Sequence, residues 1–540
     1  MKLVHKSEQR SLWSAAAWRS FPSFASERRG IEGRPKRCQA ILLANVGPRT
    51  KCPTSCQLVA VSASESLGLT LKPATSWQLV GPGLNSPAVS QVTALQRLCI
   101  FLLIFALTAN TGLALATRRA TRQSGTSTLS AEDQTFLEDL SRRSFSFFWE
   151  QADPTTGLVL DRAHTDGSPH REDRRHFASI AATGFGLTAL CIAAERRWVE
   201  PRQAREQVRT ILRFFAERSP HEHGWFYHFV DSRTGERFRN SELSSIDTAL
   251  LLGGVLTARQ RFRDDAEIVR LATRIYERVD FQWMLNGHPT LLSHGWRPES
   301  GFIKSRWDHY SEHTMLYLLA IGSPTHPISP ESWWAWRRDW VTYGDYHYLA
   351  GAPTLFTHQY SHAWVDYRGR REDRAPHIDY FQNSVTATQA HRAFCLDLAK
   401  EFPGYSAEVW GISASDSAHG YVAWGGPPRR GPIDGTVVPC AAGGSLMFTP
   451  EISLAALRAM REKFGERIYG RYGFADAFNP ATGWVDSDVI GIDVGITLLS
   501  AENLRTGNVW RWFGRNPEPV KAMRLIGLRK ADEKSVKRKS

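Results

Sequence analysis

Two segments carry carboxylates in a setting suited to acid–base chemistry: Glu242-Leu-Ser-Ser-Ile-Asp247 and, further along the chain, Trp307-Asp-His-Tyr-Ser-Glu312. Each places an acid at the start of an apolar, helix-forming run, among aromatic and polar residues. Two carboxylates facing one cleft can break a glycosidic bond, one protonating the leaving oxygen and the other activating water. Rings beside them offer flat, amphipathic surfaces for sugar faces. Ser244 with Asp247 also reads as a capping box, and carboxylates favour helix N-termini whatever their chemistry. Glu242 and Asp247 are five residues apart and would not share a helix face, so they are not expected to be each other's acid/base partner. Glu242 precedes the helix, where a loop carboxylate can point into a cleft. Glu312 follows Ser311, another N-cap type, but burial near Trp307, His309 and Tyr310 would raise its carboxyl and suit a general acid. The catalytic candidates are therefore Glu312, Glu242 and Asp247.

Other motifs narrow the chemistry. His358-Gln-Tyr-Ser-His-Ala-Trp364 has two histidines at zinc-protease spacing, but Gln359 stands where that motif needs its general base. The segment is read instead as a polar loop that contacts sugar through His358, Gln359, His362 and Trp364, and no metal or cofactor is expected. Gly224-Trp-Phe-Tyr-His-Phe229 alternates like a strand, so Tyr227 and His228 either line the cleft or pack the fold. Gly184-Phe-Gly186 has no preceding strand and argues against a dinucleotide site; a P-loop and a G-x-S-x-G elbow are also missing from the sequence. Of the 7 cysteines, Cys52 and Cys56 lack a second pair at zinc-site spacing. Cys191, Cys395 and Cys440 allow at most one disulfide.

The elements that must position these residues are helices. Ser130-Ala-Glu-Asp133 caps a helix running to about Glu150. Helical periodicity recurs over about 178–197, 201–218, 244–263, 264–279, 311–321, 329–341, 383–401, 451–464 and 494–504. Ile180–Ala194 and Ile246–Leu256 are apolar nearly all round and belong inside, whereas 201–218 carries its charge on one face and belongs outside. Inner and outer helices alternating in sequence imply an all-α fold, an (α/α)6 toroid of about six pairs. Its long connections, rich in Trp, Tyr, His, Gly and Asp, would wall a cleft at one end.

Charge supports a neutral ligand. The net +13 concentrates at the termini, with about +8 in the first 96 residues, about +4 over residues 97–123 and about +6 from Lys521 onward, leaving the central body near −5. Nucleic acid is not an expected partner. Arg97 followed by the apolar run Leu98–Leu107 and the small residues Ala114-Leu-Ala116 has the layout of a signal peptide. An uncleaved anchor is the alternative reading of residues 97–116. The expected organisation is a non-native or disordered extension over 1–96, a catalytic body over about 124–520 and a basic tail over 521–540. The exported protein would be periplasmic or secreted, with no stable membrane partner.

A set of runs, in order over nearly the whole body, resembles a known family. They are Ser179-Ile-Ala-Ala-Thr-Gly-Phe-Gly186, Glu242–Leu252, Gly295-Trp-Arg-Pro-Glu299, Tyr310-Ser-Glu312 and Gly322-Ser-Pro-Thr-His326. Leu355–His362, Trp410–Asp416, Asp434-Gly-Thr436, Gly443-Gly-Ser445 and Tyr472–Asn479 complete them. The chain resembles the bacterial glucoamylase-like domain of glycoside hydrolase family 144, whose members are endo-β-1,2-glucanases and whose relatives occur in cyclic β-1,2-glucan synthases. The resemblance implies an (α/α)6 barrel and metal-free, inverting hydrolysis of β-1,2-glucan. It maps essential acids onto Glu242, Asp247 and Glu312, leaving open which is acid and which base. It also implies sugar contacts from Asp161, Arg162 and the His358–His362 loop, beside those expected from Trp307, His309 and Tyr310. One departure stands out: Asp493-Val-Gly-Ile496 replaces the family's Asp-Gln-Gly-Pro, which leaves the chain-length preference open. The expected function is an inverting glycoside hydrolase acting on a β-glucan oligo- or polysaccharide. The alternatives are a transglycosylase or phosphorylase on the same barrel, or a non-catalytic glycan-binding protein.

Overall fold

The computed structural model describes residues 129–172 and 174–530. The extension over 1–96, the signal-like segment 97–116 and residues 531–540 of the tail lie outside the described residues. In chain order the helices are α1 Ala131–Glu150, α2 Ile180–Arg196, α3 Pro201–Glu217, α4 Ser245–Arg261 and α5 Ala266–Glu277. They continue with α6 Phe281–Met284, α7 Thr314–Gly322, α8 Ser332–Ala335, α9 Tyr360–Trp364 and α10 Tyr380–Leu398. The last are α11 Pro439–Gly443, α12 Pro450–Phe464, α13 Gly491–Arg505, α14 Asn508–Phe513 and α15 Pro517–Leu525.

Burial sorts them into two rings. Every residue of α7, α9 and α11 is buried, as are Ile180–Ala194 of α2 and most of α4 and α13. These six helices have no polar stripe to offer solvent, so they form the inner ring. Helices α1, α3, α5, α10 and α12 bury one face only and stand outside. The arrangement is the expected (α/α)6 barrel. Two inner helices meet without spacers: a Cβ on Gly184 of α2 would lie 2.4 Å from the Leu250 carbonyl oxygen, and one on Gly254 of α4 would lie 2.1 Å from the Gly184 carbonyl oxygen. Only glycine allows that backbone approach.

The sixth outer position differs from the sequence reading. A helix over 329–341 is not found; α8 covers four residues, Trp336 turns extended, and Trp340–Tyr343 pairs antiparallel with Tyr346–Leu349. Burial of Trp333 and Trp336 decides this conformation over helical periodicity. The wall behind α7 is supplied by α15, which packs on it so closely that Gly322 faces the Glu518 carbonyl oxygen. Arg259 of α4 fastens α15 by binding Glu518 at 2.6 Å and Asn516 at 2.9 Å. The basic tail therefore starts later than Lys521: that residue lies in α15, and Arg529–Lys530 pairs with Arg370–Arg371. Cys191, Cys395 and Cys440 are free, buried thiols.

Candidate active site

A cleft of about 1120 Å³, counting its open mouth, lies where the N-terminal ends of the inner helices converge. Ser179 caps α2, Ser244 caps α4, Glu312 leads into α7, Tyr360 opens α9, and Ile490 caps α13; all five line it. Helix N-termini carry partial positive charge and unpaired N–H groups, which favours acidic side chains there. Asp161, Glu242, Asp247 and Glu312 all face this cleft, and each is buried.

Short strands place Glu242. Its carbonyl oxygen accepts from the His228 N–H at 2.9 Å, and Leu243–Ser244 pairs with Gly295–Arg297. The same pairing brings Arg297 back, whose Nη2 sits 3.0 Å from Glu242 Oε2. His228 lies flat on Phe229, ring centroids 3.7 Å apart. Its Nδ1 is 3.3 Å from Glu242 Oε1 and its Nε2 is 3.5 Å from Asp247 Oδ1. One imidazole thus bridges the two acids that helix geometry alone keeps apart.

The environments drive the carboxyls in opposite directions. Burial pushes Glu242 up, but the His228 hydrogen bond and charge, with Arg297, outweigh it and hold the carboxyl below its usual range. Burial dominates at Glu312 and raises it, against a hydrogen bond from Ser311 and helped by the nearby Asp247 charge. Asp247 is also raised by burial, despite His228 and its capping hydrogen bond with Ser244. Burial disfavours the charged His228, yet Asp247 and Glu242 lift it from 6.5 to about 9, so it is an imidazolium at neutral pH. Both readings of Asp247 hold together: its N–H donates to Ser244 Oγ at 3.2 Å, and its side chain faces the cleft.

Trp307 also lines the cleft, with its indole N–H donating to Ser245 Oγ at 2.8 Å and His294 stacked 4.1 Å away. Several expected contacts lie elsewhere. His358, Gln359, His362 and Trp364 are buried, in α9, in the 3-10 turn Leu355–His358 before it and, for Gln359, at the junction between them. Gln359 donates to the Ala441 carbonyl oxygen and Ser445 Oγ, both at 2.9 Å, and the Trp364 indole donates to Thr188 at 3.0 Å. His362 sits 3.1 Å from Ser384 Oγ. Both ring nitrogens of His358, Gln359 Oε1 and His362 Nδ1 are buried there without a hydrogen-bond partner. Tyr310 is buried against Tyr380, His309 pairs with Asp308 at 2.7 Å and packs on Gly351, and Tyr227 lies under Arg237. Arg162 binds Asp161 at 3.1 Å and Asp416 on its other side, and faces a second cavity.

Of the His358–His362 segment Tyr360 does line the cleft; sequence reasoning missed His294 and Phe356 of the lining, and a buried group beneath it. Tyr360 OH lies 3.3 Å from Asp493 Oδ1, and the Cys440 thiol donates to the same oxygen at 3.2 Å. Burial raises Asp493 to about 6 and also raises its neighbour Asp476 well above the usual carboxylate range.

Fold and site together define a glucoamylase-like (α/α)6 barrel. A family model described as Glycoamylase, a putative glucoamylase, matches residues 304–517, from just before Glu312 to the start of α15. Among curated proteins, the chain is 28% identical over 433 residues to an exo β-1,2-glucooligosaccharide sophorohydrolase (non-reducing end) of Parabacteroides distasonis. That match covers 73% of this chain and 58% of the relative's length. Among solved structures, an endo-β-1,2-glucanase from Chitinophaga pinensis in complex with sophorotriose and glucose superposes with a TM-score of 0.68 at 26% identity. It is covered over 99% of its length and spans 74% of this chain. A β-1,2-glucanase from Parabacteroides distasonis superposes with a TM-score of 0.66 at 26% identity, over 73% of this chain and 60% of its own.

Proposed function

We propose that the protein is an inverting glycoside hydrolase that cleaves β-1,2-glucan. The observation that carries this reading is the opposite shift of two carboxyls lining one cleft, Glu242 lowered by its charged partners and Glu312 raised by burial. Glu312 gives its proton to the glycosidic oxygen as the bond to the anomeric carbon breaks. Water attacks that carbon from the opposite face, and Glu242 takes the water's proton. The β-linkage is released as an α-anomer. Arg297 and His228 fix the Glu242 carboxylate, and burial, with Asp247 as a smaller contribution, raises Glu312. Trp307 supplies a ring at the cleft wall for a sugar face.

The linkage is taken from the relatives, which act on β-1,2-glucans by their names. Cleavage within the chain is favoured over release of end units, because the endo-acting relative is matched along nearly its whole length and the exo-acting one along little more than half. The signal-like segment supports export to the periplasm or the medium. The test is product analysis of the purified protein on β-1,2-, β-1,3-, β-1,4- and α-1,4-glucans, with and without phosphate, with NMR detection of the first anomer formed. Short β-1,2-oligosaccharides released as α-anomers are expected. Sugar phosphates would assign a phosphorylase, and binding without turnover would assign a glycan-binding protein.

A further inference from the structure

We propose that His164, His170 and Asp488 form a binding site for a divalent transition-metal ion, which clamps the loop after His164 to the wall of the cleft. The inference is independent of the hydrolase reading and concerns residues outside the catalytic set. Strand Arg162–His164 pairs antiparallel with Asp488–Ile490, and the register sets His164 directly opposite Asp488. Paired residues on a ladder project their side chains to the same face, so imidazole and carboxylate meet, Nδ1 to Oδ1 at 2.7 Å. The following loop returns His170 to the same place, its ring centroid 4.0 Å from that of His164.

His170 supplies the second observation. Its side chain is only 8% exposed, and its Nε2 has no hydrogen-bond partner although it lies 3.5 Å from Asp488 Oδ2. A buried, unsatisfied ring nitrogen costs free energy unless something binds it. Donor atoms of the three residues all lie within 4.8 Å of one another. Tetrahedral zinc, with bonds of about 2.0–2.1 Å, needs donors roughly 3.3 Å apart, so small side-chain shifts complete the set. Two imidazoles and a carboxylate suit Zn2+ better than Ca2+ or Mg2+.

The surroundings favour a cation. Oxygens of Asp416 and Asp486 lie within 4.8 Å of the Asp488 carboxylate, and Asp486 Oδ2 is itself buried without a partner. Arg162 serves Asp161, Asp416 and Asp488 at once, one guanidinium for three carboxylates. That guanidinium already occupies the edge between Asp416 and Asp488, so the histidine side is the open one. A metal there would tie the loop to the strand that ends beside Ile490 in the cleft, fixing the wall that carries Asp161.

The test is calorimetric titration of metal-stripped, full-length protein with ZnCl2. One equivalent should bind, and His164→Gln and His170→Gln should each weaken it by more than about 100-fold, beyond the 10–100-fold typical of outer partners. His288→Gln, remote from the site, should bind as the wild type does. Saturating Zn2+ should raise the melting temperature of the wild type but not of His170→Gln. Should either variant misfold, Co2+ added to the wild type should give the intense visible bands of a four-coordinate site. The proposal is overturned if Zn2+ does not bind or both variants bind it unchanged. It is also overturned if Co2+ shows only its weak aqueous spectrum, or if Ca2+ binds instead and is lost in Asp416→Asn.

Discussion

His228 offers a quantitative check on how the cleft is held. The folded protein raises its pKa from 6.5 to about 9, and the side chain, 13% exposed, lies between Glu242, Asp247 and Phe229. The native state therefore binds a proton that the unfolded chain releases near its ordinary value. The resulting stability is fully present below pH 6.5 and is lost as pH rises through about 9. At about 1.4 kcal/mol for each pH unit between the two values, the effect is roughly 3 kcal/mol. His228→Gln keeps a hydrogen-bond donor of similar reach but cannot be protonated. Urea unfolding of both proteins from pH 6 to pH 10 should show the wild type losing about 3 kcal/mol more than the variant across that interval. The same substitution removes a charge-assisted bond of about 1.5–3 kcal/mol from Glu242. The Glu242 pKa should rise, moving the acid limb of the kcat/KM profile upward by about one to two pH units. Parallel stability curves together with an unmoved acid limb would refute the imidazolium bridge.

Other outcomes follow from the same structure. Glu312→Gln should retain substrate affinity and lower kcat by about 10²–10⁴-fold, the range of a general acid; a kcat within a few-fold of wild type would remove Glu312 from that role. Gly254→Ala should force α2 from α4, because its Cβ would meet the Gly184 carbonyl oxygen at 2.1 Å, and should cost about 1–3 kcal/mol or more in denaturant titration. Arg259→Met should leave Glu518 without its partner at 2.6 Å and destabilise the protein by about 3 kcal/mol or more. Limited proteolysis of that variant should cut at α15 first, because Arg259 is what fastens that helix to the barrel.

The long helices were legible in the sequence because their patterns are local. Ile180–Ala194 is apolar all round and is wholly buried; Pro201–Glu217 puts Ala204, Val208, Ile211 and Phe215 on one face and charge on the other. From these two classes alone the alternating rings follow, and with them a cleft at one end, where Glu242, Asp247 and Glu312 do lie. The short inner helices were not legible. Tyr360–Trp364 and Pro439–Gly443 are five residues each, too short to show a period. The first is also polar enough to pass for a binding loop.

What the sequence determined by itself is the set of helices and which of them belong inside, since periodicity and apolarity are properties of neighbours along the chain. It also marked three of the acids, because an acid beside a helix start and aromatic residues is visible within a few positions. Tertiary structure alone decided how those acids ionise. Glu242 and Glu312 are the same residue type, each at the entrance to an inner helix; one is lowered by His228 and Arg297 and the other raised by burial. Those partners come from other strands and loops, and the electrostatic energy of a carboxylate depends on distance through space rather than along the chain.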